Sequence, residues 1–130
     1  MKTEFTESII KMVGGELDRQ HSKWGDQKHP LLDPTLIGRP PERMCEEYEI
    51  PSENRAKTLC EINTKRGTLT WMHILVEEVS EVASSQSPEE MTQELVQVMS
   101  VCTQMIKELK RFKEELAPSP PADWVPPSPW

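Results

Sequence analysis

Four segments of the chain carry the pattern of an amphipathic helix, with apolar residues that recur every three or four positions. They run from about Thr6 to Trp24, from Ser52 to a stop at Gly67, from about Thr70 to Ser84, and from Ser87 through Phe112. No segment alternates apolar and polar residues with the two-residue period of a strand. The pattern therefore predicts an all-α fold, a helical bundle.

The first predicted helix has a single apolar stripe, which is expected to face the core. The stripe consists of Ile10, Val13, Leu17, His21 and Trp24. Residues 25–51, which follow it, contain five prolines and are predicted to be irregular. An irregular stretch of this length is more typical of a functional loop than of a simple connector.

The third and fourth predicted helices form a hairpin. Ser87 is suited to cap the fourth helix, Pro88 to occupy its first position, and Glu90 to complete a capping box. Only a few residues around Gln86 separate the two helices, so they must return antiparallel and pack against each other.

The C-terminal segment differs in composition, because six of the twelve prolines lie between Pro118 and Pro129. The folded domain is therefore predicted to span residues 1–116, followed by an extended, solvated tail over residues 117–130. Trp124 and Trp130 keep a second interpretation open, in which the tail is a docking peptide.

Charge and cysteine content narrow the class of protein. The net charge of −7 argues against binding of a nucleic-acid polymer by bulk attraction, and no apolar run is long enough for a membrane span. The cysteines, Cys45, Cys60 and Cys102, are odd in number and widely spaced, which fits a reducing compartment. The first residues lack the cationic and apolar regions of a signal peptide, so a cytoplasmic protein is expected.

Acidic residues occupy positions inside the apolar stripes of the hairpin helices. Glu78 lies eight residues before Gln86 and Glu94 eight after it, so both rise about 12 Å from the turn and should face each other. Glu81 and Gln97 each follow at three residues, which adds a carboxylate and an amide on the same flank. Three carboxylates and one amide are thus predicted to gather at one level.

Such a cluster needs compensation, since uncompensated charges in a partly dry interface cost several kcal/mol each. A hard divalent cation would provide it, and all-oxygen ligands favour Mg²⁺, with Mn²⁺ as an alternative. The other interpretation is a solvated acidic face, as for most charge clusters. For Glu77, which lies off the stripe, the two interpretations are evenly balanced.

The sequence Glu77-Glu78-x-x-Glu81, followed after twelve residues by Glu94-x-x-Gln97, resembles the metal signature of the MazG-like all-α nucleoside triphosphate pyrophosphohydrolases. That signature is usually EExxE followed by ExxD. The upstream block Arg19-Gln20-x-x-Lys23-Trp24-Gly25-x-Gln27-x-His29-Pro30 also resembles small bacterial and phage members of the superfamily. The resemblance covers roughly residues 16–110.

The resemblance implies hydrolysis of a nucleoside triphosphate to the monophosphate and pyrophosphate, with Mg²⁺ held by Glu78, Glu81 and Glu94. Gln97 stands where the family usually has Asp; it removes one charge but keeps a carbonyl oxygen that can ligate. Glu77 is the candidate for the carboxylate that orients a water toward phosphorus.

Residues outside the hairpin are candidates for binding the nucleotide. Lys23 suits a phosphate, Trp24 offers a flat face to a base, and Gln20 and Gln27 can read base edges. The alternatives are that Trp24 packs in the core and that Lys23 is a solvated surface residue. On the second helix, Arg55 is favoured over Lys57 as a phosphate ligand, because helical spacing from Leu59 places Arg55 on the apolar side.

A second apolar face on the hairpin helices predicts a homodimer or a higher homo-oligomer; a homodimer agrees with the habit of the family. The residues of this face are Val76, Val79 and Ala83 on the third helix and Leu95, Met99 and Ile106 on the fourth. Three functions remain open: an active pyrophosphohydrolase, a nucleotide-binding homologue weakened by Gln97, and a helical oligomerisation or adaptor module.

Overall fold

The computed structural model describes residues 3–33 and 38–116, which form five helices. They are α1 (Thr3–Trp24), α2 (Pro41–Glu47), α3 (Glu53–Arg66), α4 (Trp71–Ala83) and α5 (Pro88–Leu116). No strand occurs within the two described ranges, so the all-α prediction is confirmed. None of the described helices has both the length and the apolar character that are needed to cross a membrane. The proline-rich tail predicted for residues 117–130 lies outside the described residues.

Local capping signals fix the ends of α3 and α5. The Ser52 hydroxyl accepts a hydrogen bond from a backbone amide of the first turn of α3, and Gly67, with φ of 71°, ends that helix in a left-handed conformation. The Ser87 hydroxyl accepts a hydrogen bond from the Glu90 amide at 3.1 Å. The Glu90 carboxylate in turn accepts from the backbone amide of Gln86 at 3.3 Å. The capping box is therefore present with one difference. Glu90 accepts from the backbone amide of Gln86 and not from that of Ser87, one residue away from the predicted pairing.

Helix α4 lies between α3 and α5, and it packs against both. The connections on either side of α4 are short, which makes each pair of neighbouring helices antiparallel. The Cys60 thiol of α3 donates a hydrogen bond to the His73 carbonyl of α4 at 3.3 Å. These three helices form the frame that carries the acidic residues.

Helix α2 lies within the stretch that was predicted to be irregular. Pro41 occupies its first turn, and Met44 and Cys45 are buried. The Cys45 sulfur lies 3.6 Å from the Ser80 carbonyl and 3.4 Å from the Ser84 hydroxyl. The prediction missed α2 because seven residues are too few to display a helical period.

The second apolar face of α4 is therefore partly covered within the chain. Ala83, which was predicted to lie on an uncovered face, is buried. The prediction was wrong at this position because it did not include α2, which packs against α4. Val79 remains exposed, as do Leu95 and Met99 on α5.

Helix α1 packs against α5 on a different face from the one predicted. Ile9 is the buried residue, with 1% exposure, whereas Ile10 and Leu17 are each 60% exposed and Val13 is 41% exposed. The predicted inward stripe is thus wrong for these three residues. Within the described chain, the limited contact of α1 with the bundle leaves an apolar stripe on the surface.

Candidate functional site

Three carboxylates from two helices converge near the middle of the hairpin. Glu78 and Glu81 lie one turn apart on α4, and Glu94 approaches them from α5. One carboxylate oxygen from each residue lies within 4.8 Å of the other two, and all three residues are half-buried. The convergence predicted from helical spacing and turn length is observed.

The environment of the cluster favours protonated carboxyl groups when no cation is present. Burial raises the pKa of Glu81 to about 8, and its hydrogen bond with Glu94 and the charges of Glu78 and Glu94 act in the same direction. Burial also raises the pKa of Glu78; a hydrogen bond with Glu81 opposes this rise, while the charges of Glu94 and Glu77 reinforce it. Glu81 therefore remains largely protonated at neutral pH when no cation is bound.

One carboxylate oxygen of the cluster is buried and lacks a hydrogen-bond partner in the described part of the chain. The Oε2 atom of Glu78 is buried, and no group in the described part of the chain donates a hydrogen bond to it. Leaving a buried polar atom without a partner costs about 1–3 kcal/mol, and more if it is charged. An oxygen-only donor set with an unpartnered buried oxygen fits a hard divalent cation such as Mg²⁺ or Mn²⁺.

Gln97 differs from the three carboxylates in its surroundings. It follows Glu94 by one turn of α5, but its side chain is exposed. The half-buried part of the cluster thus consists of Glu78, Glu81 and Glu94, and Gln97 belongs to the exposed surface of α5.

Glu77 lies about 40° around α4 from Glu81, on the side of the helix that borders α3. It borders an open groove of about 430 Å³ that is also lined by Lys57, Cys60 and Lys65. Burial, followed by the neighbouring Glu77 carboxylate, raises the pKa of Cys60 to about 11, so this cysteine remains a thiol at neutral pH. The groove places two lysines on the same side of α4 as Glu77.

Of the two cations compared on α3, Lys57 is the one that borders the Glu77 groove. Both side chains are exposed; Arg55 lies in the first turn of the helix, and Lys57 lines the Glu77 groove. The prediction measured rotation from Leu59, which also lies against α4, whereas Cys60 is the α3 residue that donates a hydrogen bond to α4. Relative to Cys60, Lys57 is rotated by about 60° and Arg55 by about 140°. The spacing of Lys57 and Lys65, two turns apart, could have indicated this shared face.

The residues of the N-terminal block make local contacts in a single chain. The Gln20 amide donates to Glu16 at 3.2 Å, and the Lys23 ammonium lies 4.6 Å from the centroid of the Trp24 ring. Trp24 is half-buried, while Lys23 and Gln27 are exposed. Within one chain, Gln20 and Lys23 thus make these contacts inside α1.

A hollow that the sequence did not indicate lies at the turn between α4 and α5. Its volume is about 570 Å³, and its walls come from this turn, from α2 and from the segment that follows the N-terminal block. Met44 and Met91 line it together with Leu31 and Leu32. The only sequence signal was the length of the proline-rich stretch, which suggested a functional loop.

Comparisons of the chain with protein-family models, with curated proteins and with solved structures return no match. The resemblance to the MazG-like signature is thus carried by the motif residues themselves. Their arrangement in space is an independent observation, since it depends on the fold and not on the resemblance.

Proposed function

We propose that this protein hydrolyses a nucleoside triphosphate between the α and β phosphates, with Mg²⁺ as cofactor, to give the monophosphate and pyrophosphate. The convergence of Glu78, Glu81 and Glu94 around an unpartnered buried oxygen carries this proposal. The same three residues occupy the ligand positions of the MazG-like signature. Because all three cysteines are free thiols, we place the activity in a reducing cytoplasm.

The residues of the cluster fit the cation in number and in kind. Glu78, Glu81 and Glu94 would hold it, and Gln97 would contribute an amide oxygen from the exposed side. When bound, Mg²⁺ supplies charge neutralisation at phosphate oxygens and lowers the pKa of a coordinated water, as Mn²⁺ also can. The half-buried setting strengthens each of these electrostatic contributions relative to bulk water.

The residues that line the groove beside the cluster have separate roles in the proposed reaction. Glu77 would accept a hydrogen bond from the attacking water and orient it toward phosphorus. Lys57 and Lys65, which line the groove with Glu77, would offset the charge of the phosphate oxygens that leave as pyrophosphate. This distribution places the water-orienting carboxylate next to Glu81, one of the metal ligands, and the two lysines in the groove that Glu77 borders.

The exposed residues of the N-terminal block suit a site that is shared between two chains. Lys23, Gln27 and Arg55 are exposed in one chain and would bind the triphosphate or base across a dimer interface. Trp24 and Gln20 would support them from α1. The proposal therefore requires a dimer in which α1 of one chain approaches the hairpin of the other.

The exposed apolar surface predicts that the protein is a homodimer. Large apolar side chains are exposed on α1 and α5, among them Ile10, Met12, Val13, Leu17, Leu95, Val96 and Met99. A soluble monomer rarely leaves so much apolar surface in water. Light scattering after gel filtration should give about 30 kDa, twice the chain mass of 15.0 kDa. Met99→Arg should shift the protein to the monomer, and a 15 kDa wild-type species would contradict the prediction.

The activity itself is tested with a panel of canonical and modified nucleoside triphosphates, with pyrophosphate release as the readout. We expect release in Mg²⁺ or Mn²⁺ and none in EDTA. Metal-dependent nucleotide binding without release would contradict catalysis and support the weakened homologue that Gln97 suggests. If the protein binds neither metal nor nucleotide and releases no pyrophosphate, the enzyme and the nucleotide-binding homologue are both contradicted. The oligomerisation module then remains.

A further inference from the structure

The hollow at the α4–α5 turn combines an apolar interior with a polar rim. Leu32, Met44 and Met91 contribute apolar surface, and Asp33, Arg39 and Gln86 contribute polar groups. The Tyr48 hydroxyl accepts a hydrogen bond from the Asp33 backbone amide at 2.8 Å, which ties this part of the rim to the end of α2. This hydrogen bond fastens Asp33 of the rim to the C-terminal end of α2.

The hollow is the immediate neighbour of the carboxylate cluster along both hairpin helices. Met91 precedes Glu94 by three residues, so the two side chains occupy adjacent positions on one face of α5. On the other side, the Ser85 hydroxyl, which also lines the hollow, donates to the Glu81 carbonyl at 3.0 Å. One helical turn, about 5.4 Å, therefore separates the hollow from the metal ligands.

The size and the chemistry of the hollow define what it can hold. A volume of about 570 Å³ lies within the range of small-molecule sites, which are largely apolar with a few polar groups that fix orientation. Arg39 and Asp33 carry opposite charges, so the rim offers both a donor and an acceptor and has no excess charge for a free anion. A flat, uncharged heterocycle with a hydroxylated sugar matches this combination.

We propose that this hollow holds the base and sugar of the nucleotide whose phosphates lie at the carboxylate cluster. This inference rests on the proposed function, and it moves the base from the N-terminal block to the α4–α5 turn. Met44 and Met91 then form the apolar walls against the ring. Arg39, Asp33 and Gln86 read the polar edges of the base, so these residues set the base preference.

The methionines that line the hollow allow binding to be observed without catalysis. We would label the full chain with [methyl-¹³C]methionine and titrate it, in EDTA, with the 5′-monophosphates of adenosine, guanosine, cytidine and uridine. The expected result is a shift of the Met44 and Met91 methyl signals by at least one nucleotide. Met72 and Met99, which are exposed elsewhere, serve as internal controls and should not shift.

A variant that fills the hollow tests the same inference through kinetics. Met91→Trp should raise KM for the preferred triphosphate at least tenfold, while Mn²⁺ affinity, measured by electron paramagnetic resonance, stays at the wild-type value. Met72→Trp, at an exposed position on α4, is the matched control and should leave both quantities unchanged. If Met91→Trp does not fold, Arg39→Ala at the exposed rim replaces it, with altered discrimination among the four bases as the expected result.

The outcomes separate this inference from the proposed function. Nucleotide-induced shifts at Met44 and Met91 without pyrophosphate release would support the hollow and overturn the enzymatic proposal. Pyrophosphate release without such shifts, or with an unchanged KM in Met91→Trp, would overturn the assignment of the hollow as the site of the base and sugar. The enzymatic proposal would remain. Methyl shifts confined to Met72 or Met99 would also overturn the assignment of the hollow as the nucleotide site.

Discussion

Glu78→Gln is expected to lower kcat for pyrophosphate release by at least about a hundredfold and to weaken Mn²⁺ binding more than tenfold. The amide keeps the size of the side chain but removes the negative charge of one of the three carboxylates of the cluster. It also places either a neutral oxygen or an NH₂ group where Oε2 is now buried without a partner. The cation would then lose one of its three half-buried ligands.

Glu89→Gln is the matched control for this substitution. Glu89 is also a glutamate of the hairpin, but it is exposed in the first turn of α5 and does not belong to the cluster. It should leave turnover and Mn²⁺ affinity at wild-type values, and circular dichroism should show both variants folded. Wild-type metal binding in Glu78→Gln would contradict the assignment of this residue as a ligand.

Much of the frame of the site could be predicted from sequence because the signals are local. Ser52, Gly67 and Ser87 mark helix ends through hydrogen bonds and backbone conformation within a few residues of themselves. The apolar period then fixes which side of each hairpin helix faces the other. Once the turn length is known, the level of Glu78 and Glu94 follows from the rise per residue.

The errors arose where a position depends on a distant partner. The stripe of Ile10, Val13 and Leu17 satisfies the helical period, but its burial requires another element to cover it, and the fold places Ile9 against the bundle instead. In the same way, burial of Ala83 depends on α2, whose seven residues give no periodic signal. The helical period predicts which residues share one face of a helix, but it does not predict which other element covers that face.

The same distinction applies to the candidate site. The carboxylate cluster lies on one hairpin with a short turn, so spacing alone located it. The hollow draws walls from α2, the α4–α5 turn and the segment after α1. Lys57 and Glu77 meet in one groove because α3 packs against α4. Sequence spacing contains no information about the path of a long, proline-rich connection or about the rotation of α3 against α4.

The metal-free protein is expected to lose thermal stability as the pH rises from about 5 to about 8. The pKa of Glu81 is raised from 4.5 to about 8 in the folded chain, so the native state binds more protons than the unfolded state throughout this window. Stability therefore falls with pH, because each further ionisation puts another negative charge into the half-buried cluster. The raised pKa of Glu78 contributes in the same direction. A melting temperature measured in EDTA across this range should decrease by several degrees.

Saturating Mg²⁺ or Mn²⁺ should abolish this decrease, since a bound cation requires the ionised carboxylates and displaces the proton from Glu81. Binding at pH 7 should release about one proton, which calorimetry in buffers of different ionisation enthalpy measures directly. Glu81→Gln removes the group whose pKa is about 8, so it should reduce both the pH dependence of the metal-free protein and the proton release, leaving the contribution of Glu78. The control Glu89→Gln should retain both. A melting temperature that rises with pH in EDTA, or metal binding without proton release, would show that burial and like charge do not raise the proton affinity of this cluster.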